Sequence, residues 1–232
     1  MDLPLMIFLH GPGQAPPVWQ DVVTQINPAQ PMVAPWLKGL KPTEHAGFDM
    51  AEAVGSILDL MEARGAAQAD LIGFSLGGLV ALRAAAMYPE KINHLVLVST
   101  PVVPSQRDLA KQKTVVKLMP SYMFKSVPKE QVLAGLDALM AAGLSAEVDN
   151  VTTPTLVIAG EKDSLGKVSA EVFRNHIGAQ VRLVPGADAD LLKVAPQQVA
   201  QLTSDFIAGF LDDETESDDS QIHEDPQEGS TR

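Results

Sequence analysis

The sequence contains no cysteine, and its 232 residues include only 2 Trp and 2 Tyr. Without thiols there is no disulfide framework, no thiolate nucleophile and no cysteine metal site, which suits a reducing compartment. Positive charge is also scarce: 17 Lys plus Arg stand against 29 Asp plus Glu, a formal net charge of −12. No basic stripe is available to neutralise phosphates, so nucleic acid is not an expected partner. The apolar run Leu3–Leu9 is far too short to cross a membrane and lacks the basic flank of a signal peptide, so it reads as a buried strand. The expectation is a cytoplasmic protein with neither nucleic acid nor membrane as partner.

The acidic surplus is not spread evenly. Residues 212–232 hold nine acids and one base, so they account for −8 of the −12. That segment has almost no apolar residues and is expected to be a disordered acidic tail. The rest, with 46% hydrophobic residues over the whole chain, is long enough for one domain with a sizeable core.

What is present is a βαβ rhythm. Short Leu/Ile/Val runs predict strands at Pro4–His10, Met32–Ala34, Asp70–Phe74, His94–Ser99, Thr155–Ala159 and Val181–Val184. Three- and four-residue apolar spacings predict helices near Trp19–Gln25, Met50–Arg64, Gly77–Met87, Ala170–Ile177 and Pro196–Leu211. These imply an α/β fold with a doubly wound, mostly parallel sheet. Residues 102–150 break the rhythm with two helical patterns, Arg107–Leu118 and Lys129–Ala142, and no strand. Met119, Tyr122, Met123, Phe124, Leu133, Leu136 and Met140 make this insertion apolar enough to be a helical cap over a ligand, or to pack on the sheet edge. The expected organisation is a core of 1–101 and 151–211, a cap of 102–150 and the tail.

The sharpest motif is Gly73-Phe74-Ser75-Leu76-Gly77-Gly78, between a predicted strand and a predicted helix. Small residues around a central serine allow the sharp strand-to-helix turn that lifts its hydroxyl from the sheet at a helix N-terminus. There the helix dipole and the Leu76 N–H suit an oxyanion forming on a bound carbonyl. A glycine-rich turn without catalytic meaning is the alternative.

With this motif the chain resembles the α/β-hydrolase superfamily, in particular its small esterase-like members with a helical cap. His10-Gly11-Pro12-Gly13 resembles the superfamily's His-Gly turn, Gly73–Gly78 its nucleophile elbow, and Tyr88-Pro89-Glu90-Lys91 the end of its nucleophile helix. Thr153-Pro154 through Asp163 resembles the strand that delivers the triad acid. The resemblance implies Ser75 as nucleophile, Asp163 as orienting acid, Leu76 as one oxyanion donor, and no cofactor or metal. The implied ligand is a small ester-like molecule. Asp-dependent dehalogenases and epoxide hydrolases are disfavoured by the serine, and cofactorless oxygenases by the histidine considered next.

The chain departs from the pattern twice. Where the superfamily places its histidine, in a stretch resembling P-G-A-G-H, this sequence reads Pro185-Gly186-Ala187-Asp188-Ala189-Asp190, so Ala189 holds the base position. Of the other histidines, His10 belongs to the His-Gly turn, His94 opens a strand, His176 precedes the last strand and His223 lies in the tail. His45 is the least poor substitute. Pro12, following His10-Gly11, has no N–H to offer an oxyanion, which leaves Gly13 as the candidate second donor. Asp163, Asp188 and Asp190 would place three carboxylates together, as a substitute base or a divalent-cation site, unless Asp188 and Asp190 simply cap the turn and the next helix. The readings are a serine hydrolase of small carboxylic esters or thioesters with impaired or absent activity, a non-catalytic binding protein of the same fold, or a histidine-to-alanine knockout of an active hydrolase.

Overall fold

Strands form where β-favouring apolar residues run without interruption; the inner strands of the sheet are largely buried on both faces, and the two edge strands only partly. The computed structural model describes residues 4–26, 30–44, 47–103, 105–124, 126–174, 176 and 178–209. In chain order its elements are β1 (Leu5–Leu9), α1 (Gln20–Val23), β2 (Met32–Val33), α2 (Met50–Ala63), β3 (Ala69–Phe74), α3 (Leu76–Met87), β4 (Ile92–Val98), α4 (Gln106–Leu118) and α5 (Lys129–Ala141). They continue with α6 (Ser145–Val148), β5 (Thr155–Gly160), α7 (Ser164–Arg174), β6 (Ala179–Val184), α8 (Leu191–Val194) and α9 (Pro196–Ile207). The expected tail and His45 lie outside the described residues.

The strands make one six-stranded sheet in the order β2-β1-β3-β4-β5-β6. Every pairing among them is parallel, so the described sheet is wholly rather than mostly parallel. Successive side chains point to opposite faces. Ile7, Leu71 and Leu97 therefore meet α2, α3 and α7 on one side, while Phe8, Ile72 and Ile158 meet α1, α8 and α9 on the other. Burying each such side chain contributes about 1.5–3 kcal/mol, and helices on both faces make the sheet doubly wound. No described helix is long and apolar enough to cross a membrane.

Helix boundaries follow their caps. The Asp49 side chain accepts the Glu52 N–H and starts α2. At α4, Ser105 accepts the Asp108 N–H while its hydroxyl donates to the Asp108 carboxylate, a reciprocal cap. That bond first, and Lys111 second, hold the Asp108 carboxyl below its ordinary value. The largest displacement from the sequence expectation is α7, which begins at Ser164 rather than near Ala170. Its first turn is nucleated by a side chain, Asp163, instead of by apolar periodicity. The first expected helix is a 3-10 turn, Pro16–Trp19, followed by the single turn α1.

Candidate active site

Ser75 stands between β3 and α3 with φ 53° and ψ −115°, a conformation costly for a residue with a side chain, on the order of 1–3 kcal/mol. Three glycines make the turn possible. A Cβ on Gly73 would strike the backbone of Gly77 and Gly78, one on Gly77 the Leu9 carbonyl, and one on Gly78 the Thr100 side chain. The Ser75 N–H donates to the Val98 carbonyl (3.1 Å), while the Gly78 N–H donates to the Ser75 carbonyl (3.0 Å). Strained backbone and tight packing leave the serine half-buried at the start of α3, a 12-residue helix whose positive dipole end faces the same place. Leu76 is its first residue.

Above Ser75 lies a cavity of about 600 Å³, of the size small-molecule sites occupy. Leu109, Val115 and Val116 of α4 and Val132, Leu136 and Leu139 of α5 form much of its apolar wall. These two helices thus face the cavity, and Leu109, Leu136 and Leu139 belong to the main core as well. Of the apolar residues expected to mark a cap, Leu136 lines the cavity, whereas Tyr122 and Met123 are exposed to solvent. The seat of α5 on the His-Gly turn is close: a Cβ on Gly135 would meet Pro12, and one on Gly13 would meet Val132.

Asp163 and Ala189 line the same cavity as Ser75. Asp163 is only 4% exposed. Its Oδ1 accepts the N–H groups of Leu165 (3.2 Å) and Gly166 (2.9 Å) at the start of α7. Its Oδ2 is buried and has no hydrogen-bond partner among the described residues. An N-cap needs only one oxygen, and leaving a buried acceptor unmet costs about 1–3 kcal/mol, more when it is charged. Capping α7 accounts for half of this carboxylate. Gly166 is there because a Cβ at that position would collide with Oδ2.

The expected trio of carboxylates does not assemble. Asp190 lines the cavity with Asp163, but Asp188 turns to accept the Asp190 N–H (3.0 Å), so it caps the turn. Asp190 makes no side-chain cap to α8. No group of three or more His, Cys, Asp or Glu among the described residues could hold a metal ion. The short-range turn bond wins because it costs no crowding of like charges.

The described histidines have other work. His10 is buried, and the Leu37 N–H donates to its Nε2 (3.1 Å), so Nδ1 carries the proton and donates to the Gly11 carbonyl (2.9 Å). Burial pushes its pKa down, partly offset by the bond to Gly11. With its lone pair engaged, His10 is a strut of the His-Gly turn. His94 bonds through Nδ1 to Asp70 (2.8 Å) near the N-terminal ends of β3 and β4, away from Ser75, which follows the C-terminal end of β3. His176 packs against the Phe173 ring. Within the turn, Pro12 and Gln14 line the cavity, and Gly13 between them has φ 71°.

One residue escaped the sequence reading. Ser99, after β4, also has positive φ (44°), lines the cavity and keeps a buried hydroxyl without a partner among the described residues. Its signal was a serine at the end of the strand beside the elbow, which apolar periodicity does not mark.

The alpha/beta hydrolase fold family matches residues 4–134 of this sequence. The chain belongs to that family. Among curated relatives of this α/β-hydrolase, 2-(acetamidomethylene)succinate hydrolase of Mesorhizobium japonicum is 22% identical over 88% of each chain. Pimeloyl-[acyl-carrier protein] methyl ester esterase of Yersinia enterocolitica is 27% identical over 87% of this chain and 92% of that protein. The crystal structure of the enol-lactonase from Burkholderia xenovorans superposes with a TM-score of 0.77, covering 90% of this chain and 92% of that one at 18% identity. At such identity the structural likeness establishes the fold.

Proposed function

We propose that this α/β-hydrolase binds a small carboxylic ester or thioester beneath α4 and α5, with Ser75 as its nucleophile and with catalysis impaired because Ala189 replaces the base. The observation that carries this reading is the pairing of a strained Ser75 with the half-satisfied Asp163 across one largely apolar cavity. The names of the relatives, an esterase and a hydrolase, and of the lactonase structure favour acyl substrates.

In the proposed chemistry the Ser75 Oγ attacks the carbonyl carbon, and the Leu76 N–H at the start of α3 stabilises the developing oxyanion. The leaving oxygen or sulfur departs with a proton, and water releases the acyl group. A serine hydroxyl of ordinary acidity is a poor nucleophile, so the step is slow without a base. Enzymes stripped of one triad member retain roughly 10³–10⁴ over water.

A paired assay of this chain and an Ala189→His variant on short nitrophenyl esters, with a fluorophosphonate probe, tests the reading. The variant should gain at least about 10²-fold in rate and label at Ser75. Efficient turnover by the unaltered chain would show that another group, such as His45, serves as base. Inertness of both proteins, with a ligand bound in the cavity, would favour the alternative of a binding protein, which the apolar wall also suits.

A further inference from the structure

Positive charge gathers on one part of this acidic chain. Residues 105–130 hold six bases (Arg107, Lys111, Lys113, Lys117, Lys125 and Lys129) against two acids, Asp108 and Glu130, a balance of +4 in a chain of −12. Along α4, Arg107, Lys111, Val115 and Leu118 follow one another at four- and three-residue spacings and are all exposed, so they form one face turned to solvent. Lys111 pairs with Asp108 (3.1 Å) and Lys113 with Asp137, but Arg107 and Lys117 have no ion pair among the described residues. The face continues into the 3-10 turn Ser121–Met123, and on it Leu118 and Tyr122 are 80% and 78% exposed. Apolar residues grouped at the surface and rimmed by polar ones mark an interaction site.

We propose that an acidic segment of this same chain, residues 218–228, docks on this face. The segment holds five acids (Asp218, Asp219, Glu224, Asp225 and Glu228), no Lys or Arg, and Ile222, the one aliphatic residue of 212–232. Its acids complement Arg107 and Lys117, and Ile222 complements Leu118, Tyr122 and Met123. The chain is long enough to reach. Near the end of α9 the Phe206 ring meets His94, close to the N-terminal end of β4, whereas α4 and α5 cover the cavity beyond the carboxyl ends of the strands. The seven residues of β4 separate those ends by about 23 Å, and a layer of helix adds about 10 Å. Counted from Gly209, the backbone spans up to about 30 Å at Asp218 and about 65 Å at Glu228. An anionic lipid surface drawn to α4 also meets the −16 of the other residues (−12 less +4), while a tethered segment acts at an effective concentration of about mM. Single exposed ion pairs contribute little, so the contact rests on several acting together and dissolves as salt screens them. Lys111, Gln112 and Val115 are exposed and also line the cavity, so the docked segment borders its opening.

The lack of cysteine makes the contact measurable in the full chain, because labels attach only where a cysteine is introduced. With nitroxides at Thr114→Cys on α4 and at Ser220→Cys, pulsed electron paramagnetic resonance at low salt should show a population of distances within about 25 Å, two helix diameters. That population should fall at least about threefold at 1 M salt, where the Debye length is about 3 Å. The Arg107→Glu/Lys117→Glu pair should lose most of it at low salt, and Ile222→Asp a part. Arg107 and Lys117 are exposed, so their variant should unfold at the parent's temperature. Absence of the short distances at low salt, or their survival in the charge-reversed pair, overturns the proposal. So does the same population in a mixture of singly labelled Thr114→Cys and Ser220→Cys chains, which would mean contact between two copies. Sedimentation of the full chain with phosphatidylglycerol vesicles, abolished by Leu118→Asp, would give the face to a lipid surface and likewise overturns it. None of these readouts needs turnover at Ser75, so the docking and the hydrolase reading stand or fall separately.

Discussion

Two buried aspartates stand at opposite ends of the same parallel sheet, and their surroundings differ. Asp70, at the start of β3, is fully buried and fully met. Its Oδ1 accepts from Asn93 Nδ2 (3.0 Å) and His94 Nδ1 (2.8 Å), and its Oδ2 from Gln30 Nε2 (3.0 Å). Asp163, beyond the end of β5, has both bonds on one oxygen and, among the described residues, none on the other. Among the described residues the two non-glycine residues with positive φ, Ser75 and Ser99, sit at the Asp163 end. One end of the sheet holds a carboxylate with both oxygens met, while the other has strain and an unmet acceptor around the cavity that Ser75 lines. Open α/β sheets take their ligands beyond the carboxyl ends of the strands, and here Ser75, Ser99 and Asp163 stand at that end.

The contrast is open to attack. Removing the Asp70 side chain leaves His94, Asn93 and Gln30 without their acceptor, so Asp70→Ala should cost about 3–5 kcal/mol in urea unfolding. Asp163→Asn keeps the cap oxygen and replaces the oxygen that has no partner, so it should stay within about 1 kcal/mol of the parent. Equal losses would erase the distinction between a fully met and a half-met carboxylate.

A second test concerns the His-Gly turn. Pro12→Ala, made in the Ala189→His background, adds a backbone N–H beside the cavity. If an oxyanion donor is missing there, kcat should rise by roughly tenfold and up to 10²-fold with KM little changed. An unchanged kcat would mean that Gly13 or another group already fills that role.

The smallest effect separates a structural histidine from a catalytic one. Because burial lowers the pKa of His10 in the folded protein, the unfolded chain binds the proton first as pH falls. Stability should therefore be insensitive to His10 above about pH 6.5 and fall below it, with a slope of at most about 1.4 kcal/mol per pH unit. The difference between this chain and a His10→Gln variant isolates the contribution from those of His94 and His176. A His10 contribution that grows as pH falls would overturn the assigned tautomer.

Much of this was legible in residue order. The strands were, because a strand covered on both faces must be apolar throughout, as Met6, Ile7, Phe8 and Leu9 are. The elbow was, because only glycine tolerates the approaches at 73, 77 and 78. The start of α7 was not, since its nucleating group is a single carboxylate and its first turn carries no apolar signal. Nor was Ser99, whose importance rests on where β4 ends relative to Ser75.

The sequence by itself determined the alternation of strands and helices, the glycine-flanked turn at Ser75 and the presence of alanine at position 189, since each is written in local residue types and spacings. Only the tertiary structure decided that Asp188 turns away while Asp163 and Asp190 share the cavity with Ser75, and that one oxygen of Asp163 goes unmet among the described residues. Hydrogen-bond satisfaction depends on which groups the packed chain brings within about 3 Å of each other, and residues 75, 163 and 189 become neighbours only when the sheet is assembled.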